Sequence, residues 1–430
     1  MATLVLGGGI TGLLAAYKLQ QKGEAVEVWE ATPSIGGWVQ SLDWPDAEGR
    51  PGRVEKGPQG VLVAPGSPIE KLFKDLDLKV KSPGHGARWV GKGGKLISVP
   101  SAPAALMFSS LMSLGTKLRL MKEPFIPVRL AEPEEGLSAF VARRLGPGVA
   151  SDLLPAMVAG ILAAPVETLS VDAIPKLRQW ESYGSLVKGM KAGGRSALMV
   201  PEGGMGSLPK AVAARLSCIR TGLRATSIEP FGEGRWKVMA EGTERIVDRV
   251  VLALPAFEAT TLLAPIAPRN AEGLSAIPYT SIRLWNSRHA PLVPFKDGFG
   301  FLMHPPEAEG FLGSLVPSWI DPGCAPGGLM QLRTFVGGAF PTAPDLGVWE
   351  GVWKRLQRWM PGISQASDIR PLDAVNAIPR AELGHRARVA QALEGLPKGI
   401  DWISNARFGP GVRDVVEGLE DWDGEPHSCS

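Results

Sequence analysis

The sequence predicts an α/β fold in three parts: a parallel-sheet domain opened by an N-terminal βαβ unit, a mixed-sheet domain of α+β type, and a helical part between them. Three observations predict it. A strand, a glycine turn, a helix and a second strand follow one another over residues 2–30. Residues 263–398 alternate short strand-like runs with Gly/Pro turns, and residues 101–200 read as helical. At 430 residues the chain is also too long for one ordinary core.

The N-terminal unit is the most informative stretch. Residues 2–7, ATLVLG, are apolar, partly β-branched and ended by glycine, as a short buried strand requires. Gly7-Gly8-Gly9-Ile10-Thr11-Gly12 then has the G-x-G-x-x-G spacing. An apolar helical stretch follows from Leu13 and stops at Gly23, and Ala25–Glu30 is a second strand ending on an acid. In that order the glycines fit a Rossmann-type dinucleotide site. Gly7 permits the tight turn, Gly9 lets backbone approach a pyrophosphate, and Gly12 lets the helix pack close to the sheet. The helix start at Ile10 and Thr11 offers unpaired N–H groups and the positive end of the dipole. Glu30 would accept ribose hydroxyls and repel a 2′-phosphate, which disfavours NADP. The competing reading is the same unit with no ligand.

Composition narrows the function classes. Charged residues make up 21% of the chain and net charge is only +3, far from a nucleic-acid-binding surface. The three cysteines (Cys218, Cys324, Cys429) form no CxxC pair, and the five histidines lack ligand spacing, so no metal site is expected. The N-terminus runs straight into a strand, and no apolar run is long enough for a membrane span. A cytoplasmic protein is the expectation.

Downstream, Ser34-Ile35-Gly36-Gly37-Trp38 resembles the second glycine pair of FAD-dependent oxidoreductases, and Glu55-Lys56-Gly57-Pro58-Gln59-Gly60 resembles their E-x-G-P-x-G segment near the flavin ring. Further segments carry the likeness along the chain: IGGWVQS (35–41), GPQGVLV (57–63), ARWVGKGGKLISVP (87–100), VAGILAAPVETLSV (158–171), DGFGFLMHPPE (297–307), FVGGAF (335–340), AIPRAELGHRARV (377–389) and NARFGPGVRD (405–414). Together they resemble the protoporphyrinogen/coproporphyrinogen oxidase family within the flavin amine oxidoreductase superfamily.

The resemblance implies non-covalent FAD in a discontinuous domain (about 1–84, 201–262 and 399–430), a substrate domain (85–100 and 263–398), and a helical domain (101–200) in the region where the family contacts membranes. In that last part Ala104–Met112 is apolar, and Lys117, Arg119 and Lys122 follow. The pattern suits a peripheral membrane contact and equally a helix facing the core. The implied reaction removes six hydrogens from a porphyrinogen in three two-electron steps, hydride passing from a meso carbon to flavin N5, with dioxygen as the acceptor. The implied substrate is protoporphyrinogen IX, with coproporphyrinogen III as the alternative. The electron-rich pyrroles carry the positive charge, so no strong base is needed. The resemblance leaves room for a homodimer and for a haem-pathway enzyme as partner.

Site residues follow from the same likeness. Gly36, Gly37, Trp38 and Gly57 fall on cofactor-facing motifs. Arg88 matches an arginine that holds a propionate, a task suited to a bidentate guanidinium. Gly160 matches a glycine whose backbone nears the pyrrole N–H groups; it fits helix packing equally well. Leu302 and Phe335 match residues lining the two faces of the macrocycle, and strand core would explain them too. Val412, after Gly409-Pro410-Gly411, matches a backbone donor to flavin N1 and O2. The chain departs from the family pattern at Ser34, where arginine is usual, and at Gln59, Ala164, Ser404 and Pro410. Two other classes compete: an amine oxidase or desaturase, and a non-catalytic flavoprotein that only binds a tetrapyrrole.

Overall fold

The computed structural model describes residues 1–84, 86–100, 112–129, 133–194 and 196–422. Two sheets organise them. The first is five-stranded and wholly parallel, in the spatial order Ile219–Thr221, Ala25–Glu30, Ala2–Leu6, Arg249–Leu252, Ile400–Trp402. Its central strand β1 (Ala2–Leu6) leads through the glycine turn into helix α1 (Ile10–Gln21) and on to β2 (Ala25–Glu30).

Alternation along β1 explains why the sheet is buried on both faces. Val5 packs with Leu13, Ala16 and Leu19 of α1 and with Val412 and Val415 of the C-terminal helix. Leu4 and Leu6 point the other way, into a second core with Ile228, Trp236 and Val238 of an antiparallel three-stranded meander and with Trp402. Segments far apart in sequence thus meet on one sheet because the strands carrying them are apolar on both sides.

The second sheet has seven strands, in the order Asp368–Pro379, Tyr279–His289, Met330–Gly337, Phe311–Leu315, Gly298–Met303, Ala87–Lys92, Lys95–Ser98. It is antiparallel except where Gly298–Met303 runs parallel to Ala87–Lys92. Two of its strands are longer than the sequence suggests, at 11 and 12 residues. Polar residues on the exposed positions of Asp368–Pro379, together with a bulge near Thr280, break the alternation that would reveal the full length.

Short helices, among them Leu137–Leu145, Leu154–Leu162, Pro175–Glu181 and Leu186–Ala192, build a further core with Val90, Ile97 and Leu302 of the second sheet. The helical reading of 101–200 fails at its end. Ala197–Pro201 is a strand that pairs with Val61–Val63 and Val80–Lys81, an apolar run too short for a helix. Of the apolar stretch 104–112, residues 104–111 lie outside the described residues, and Met112 is buried. Among the described residues no helix is long and apolar enough to cross a membrane.

Candidate cofactor and active site

The glycine turn is a cradle built by exclusion. Gly7 has φ +108°, and a Cβ there would lie 2.5 Å from the Ala253 carbonyl oxygen. A Cβ on Gly12 would lie 2.0 Å from the Gly7 carbonyl oxygen, so α1 can reach the sheet only with hydrogen at that position. Gly9 is different: its missing side chain would meet nothing nearer than the Gly37 Cα at 4.0 Å. It borders open space. Gly36 N–H donates to the Gly8 carbonyl at 2.7 Å, which sets Gly36 and Gly37 edge to edge with the first turn.

α1 begins on Gly9 with no side-chain cap, and the first intrahelical bond is Leu13 N–H to Gly9 C=O. The amides of Ile10, Thr11 and Gly12 therefore have no intrahelical acceptor. Buried, uncapped amides beside open space fit an anion.

Glu30 closes one end of the cradle. Its Oε2 accepts the Gly8 N–H at 2.7 Å, and its Oε1 accepts the Thr32 N–H and hydroxyl at 2.8 and 2.7 Å. Three of about four acceptor positions on the carboxylate are taken, so one remains on Oε2 for a ribose hydroxyl. Holding the turn is thus a second role for Glu30 that the sequence does not reveal.

At the other end, Gly57 packs on Trp38: a Cβ would lie 2.2 Å from the Trp38 carbonyl oxygen. The C-terminal turn arrives through the Val412–Asp421 helix. Pro410 has no N–H, and the Gly411 amide is spent on the Asp414 carboxylate at 3.0 Å. The next donor at this helix start is Val412, nearly buried in the same core as α1. His385 pins the turn, its Nε2–H donating to the Ala406 carbonyl at 2.7 Å. Burial holds the imidazole pKa below its usual value, which keeps it neutral in this role.

The second sheet presents one face to this region. Register places Leu302, Gly313 and Phe335 opposite one another on three adjacent strands. Leu302 and Phe335 therefore stand two strand spacings apart, about 9–10 Å, flanking a position without a side chain. Trp38 and Phe335 pack on the same small core, which includes Ala159 and Ala163. Gly160 meets Leu302 directly: a Cβ would lie 2.3 Å from Leu302 Cδ2, so close helix–sheet packing by itself favours glycine there unless Leu302 moves aside. Arg88 is exposed, pairs in register with Gly300 two residues before Leu302, and lies with its guanidinium 5.1 Å from the Phe299 ring. It shares a sheet with Leu302 and Phe335 and is not brought to the glycine cradle.

The profile of the family described as flavin containing amine oxidoreductase matches residues 10–380. The chain belongs to this family. Human protoporphyrinogen oxidase is 29% identical over 379 residues, covering 78% of this chain and 77% of its own. Coproporphyrinogen III oxidase of Propionibacterium freudenreichii is 28% identical over 454 residues, covering 90% and 82%. The crystal structure of an oxidoreductase from Methanosarcina mazei superimposes with a TM-score of 0.73 at 18% identity, covering 99% and 100%, which is a likeness of fold.

This flavin amine oxidoreductase is an FAD-dependent oxidoreductase, and its residues fit the cofactor. The uncapped amides of α1 and the Gly9/Gly36/Gly37 gap would hold the diphosphate, Glu30 would accept the ribose, and the Val412 amide would donate to the flavin ring.

One buried group at this site has no motif to announce it. Arg333 lies two residues before Phe335, so both point to the same face. Its guanidinium is buried, donates to the Lys56 carbonyl at 3.2 Å, and approaches Gln59 Oε1 at 3.5 Å. Burial pushes its pKa down to about 10, against the pull of nearby Glu55, and it stays charged at neutral pH. Glu55 accepts the Ser41 hydroxyl and the Met205 N–H, and burial raises its pKa. The departure at Gln59 thus coincides with a guanidinium delivered from the second sheet. Period-2 spacing from Phe335 was the available signal.

Gly12→Ala tests the cradle. The added methyl meets backbone, so the turn must shift. The purified variant is expected to lack flavin absorbance while keeping its far-ultraviolet circular dichroism; undiminished FAD content would contradict the geometry.

Proposed function

We propose that the chain oxidises a porphyrinogen to the corresponding porphyrin, with protoporphyrinogen IX as substrate and coproporphyrinogen III as the alternative. The similarity to both kinds of oxidase over most of the chain carries this reading. Bound FAD supplies the two-electron oxidant. Three rounds remove six hydrogens, and three molecules of dioxygen become three of hydrogen peroxide. In this reading Leu302 and Phe335 line the side of the site that holds the flat macrocycle, a placement role suited to apolar side chains. Arg88, exposed and without an ion-pair partner among the described residues, grips a propionate at the edge. No residue has to act as a strong base.

An aerobic fluorescence assay with each porphyrinogen is the test. Porphyrin emission should rise with one or both, and no emission with either would remove the reading. Arg88→Ala is expected to raise the apparent KM by about tenfold, the scale of losing a charge-assisted hydrogen bond, with kcat nearly unchanged. An unchanged KM takes Arg88 out of the site.

A peripheral membrane contact is proposed with it, through the segment after the apolar stretch. Leu114, Leu118, Met121 and Phe125 are all exposed, and Lys117 and Lys122 lie among them. Arg119 does not contribute, since it donates to the Arg143 carbonyl. Co-sedimentation with vesicles containing phosphatidylglycerol should retain the protein and release the double variant Leu118→Ser/Phe125→Ser. Equal pelleting of both proteins, or of neither, goes against the contact.

A further inference from the structure

We propose that Lys56 supplies the cationic contact to the FAD diphosphate that Ser34 cannot. The inference rests on FAD binding and not on the identity of the substrate.

A diphosphate brings two negative charges to the cradle. The helix dipole offsets about half a charge, and Glu30 adds a third negative group at the same turn, bonded to Gly8 N–H. A cation beside the cradle would offset this charge. Ser34 is exposed and neutral, and its hydroxyl only accepts a bond from the Gln40 amide at 3.3 Å.

Lys56 is placed to do it. Its backbone is fixed from both sides, the N–H donating to the Gln40 carbonyl at 2.8 Å and the C=O accepting from Arg333 at 3.2 Å. The ammonium lies 4.9 Å from the centroid of the Trp38 ring. Trp38 follows Gly37, and a Cβ on Gly37 would lie 3.2 Å from the Gly9 Cα. The ammonium thus lies on the indole that directly follows the second glycine turn, and that turn approaches Gly9.

Lys56 is half-buried, and no carboxylate among the described residues lies within ion-pair distance of its ammonium. Burial lowers its pKa, opposed by the charge of Glu30, which places the two groups in one electrostatic neighbourhood. A partly desolvated cation without a counter-ion is costly. A phosphate oxygen is the ligand that relieves the cost at this place, because the uncapped amides of α1 already select an anion there. The cation has thus moved from the position before the glycine pair to the bend that follows the strand Arg53–Glu55.

Apoprotein titrated with FAD, followed by quenching of flavin fluorescence at several salt concentrations, tests this. Lys56→Gln should weaken FAD binding by about tenfold or more and flatten its salt dependence. Lys56→Arg should bind nearly as wild type. Adding Ser34→Arg to Lys56→Gln should restore both affinity and salt dependence. Wild-type affinity in Lys56→Gln at every salt concentration overturns the proposal. So does a weakened variant with an unchanged salt slope that Ser34→Arg cannot rescue, because a packing role would behave that way. Wild-type protein that takes up no FAD would instead refute the cofactor assignment itself.

Discussion

Buried peptide N–H groups at the start of α1 need an acceptor, and the described residues of the chain provide none. The helix begins on Gly9 without a capping side chain, and its first three amides face a gap bounded by Gly9, Gly36 and Gly37. Three other helices, by contrast, are capped by a serine: Ser113, Ser185 and Ser404 each accept an amide at the start of a helix. At α1 a cap would occupy the place of the ligand. Much of the surrounding geometry serves to keep that gap open and correctly bounded. Gly12 lets the helix reach the sheet, Glu30 fixes Gly8, and the Gly36–Gly8 hydrogen bond sets the second turn against the first.

From there the architecture is a problem of bringing distant segments to one anion and one planar ring. The parallel sheet accomplishes it by being apolar on both faces, so strands at residues 2, 25, 219, 249 and 400 assemble side by side. The C-terminal helix is carried in with Val412 as the first donor of its start, since Pro410 has no N–H and Asp414 occupies the Gly411 amide. The second sheet contributes through register. One line across three strands sets Leu302 and Phe335 around Gly313, and Arg333 follows on the same face. Charge at the site is thus distributed over the helix start, Lys56, Arg333, Glu30 and Glu55, groups that come from different layers of the fold.

The N-terminal unit was legible because its signals are local. Strand, turn, helix and acid lie within thirty residues, and each glycine has a steric reason that spacing alone discloses. The mixed sheet was legible in kind but not in extent. The long strands Tyr279–His289 and Asp368–Pro379 hide behind bulges and exposed polar positions, and Ala197–Pro201 pairs with strands more than a hundred residues earlier. Arg333 escaped because nothing local distinguishes a buried arginine from a surface one; only the pairing of Met330–Gly337 in the sheet's interior buries it. Glu30 was found for its position, while its bonds to Gly8 and Thr32 depend on backbone direction that a sequence does not display. The departure at Ser34 reads as a lost arginine when taken one position at a time, and Lys56 is the cation proposed in its place. At Gln59 a guanidinium does stand close by, that of Arg333 at 3.5 Å.

The most direct measurement of the central claim compares FAD with FMN and riboflavin in binding to the apoprotein by isothermal titration calorimetry. If the open amides of α1 and the paired glycine turns grip an adenosine-linked diphosphate, FAD binds at least a hundredfold more tightly than FMN, and riboflavin more weakly still. That margin is about 2.7 kcal/mol, the worth of one or two charge-assisted hydrogen bonds. FMN binding as tightly as FAD would contradict the account, because the flavin ring alone would then be providing the affinity.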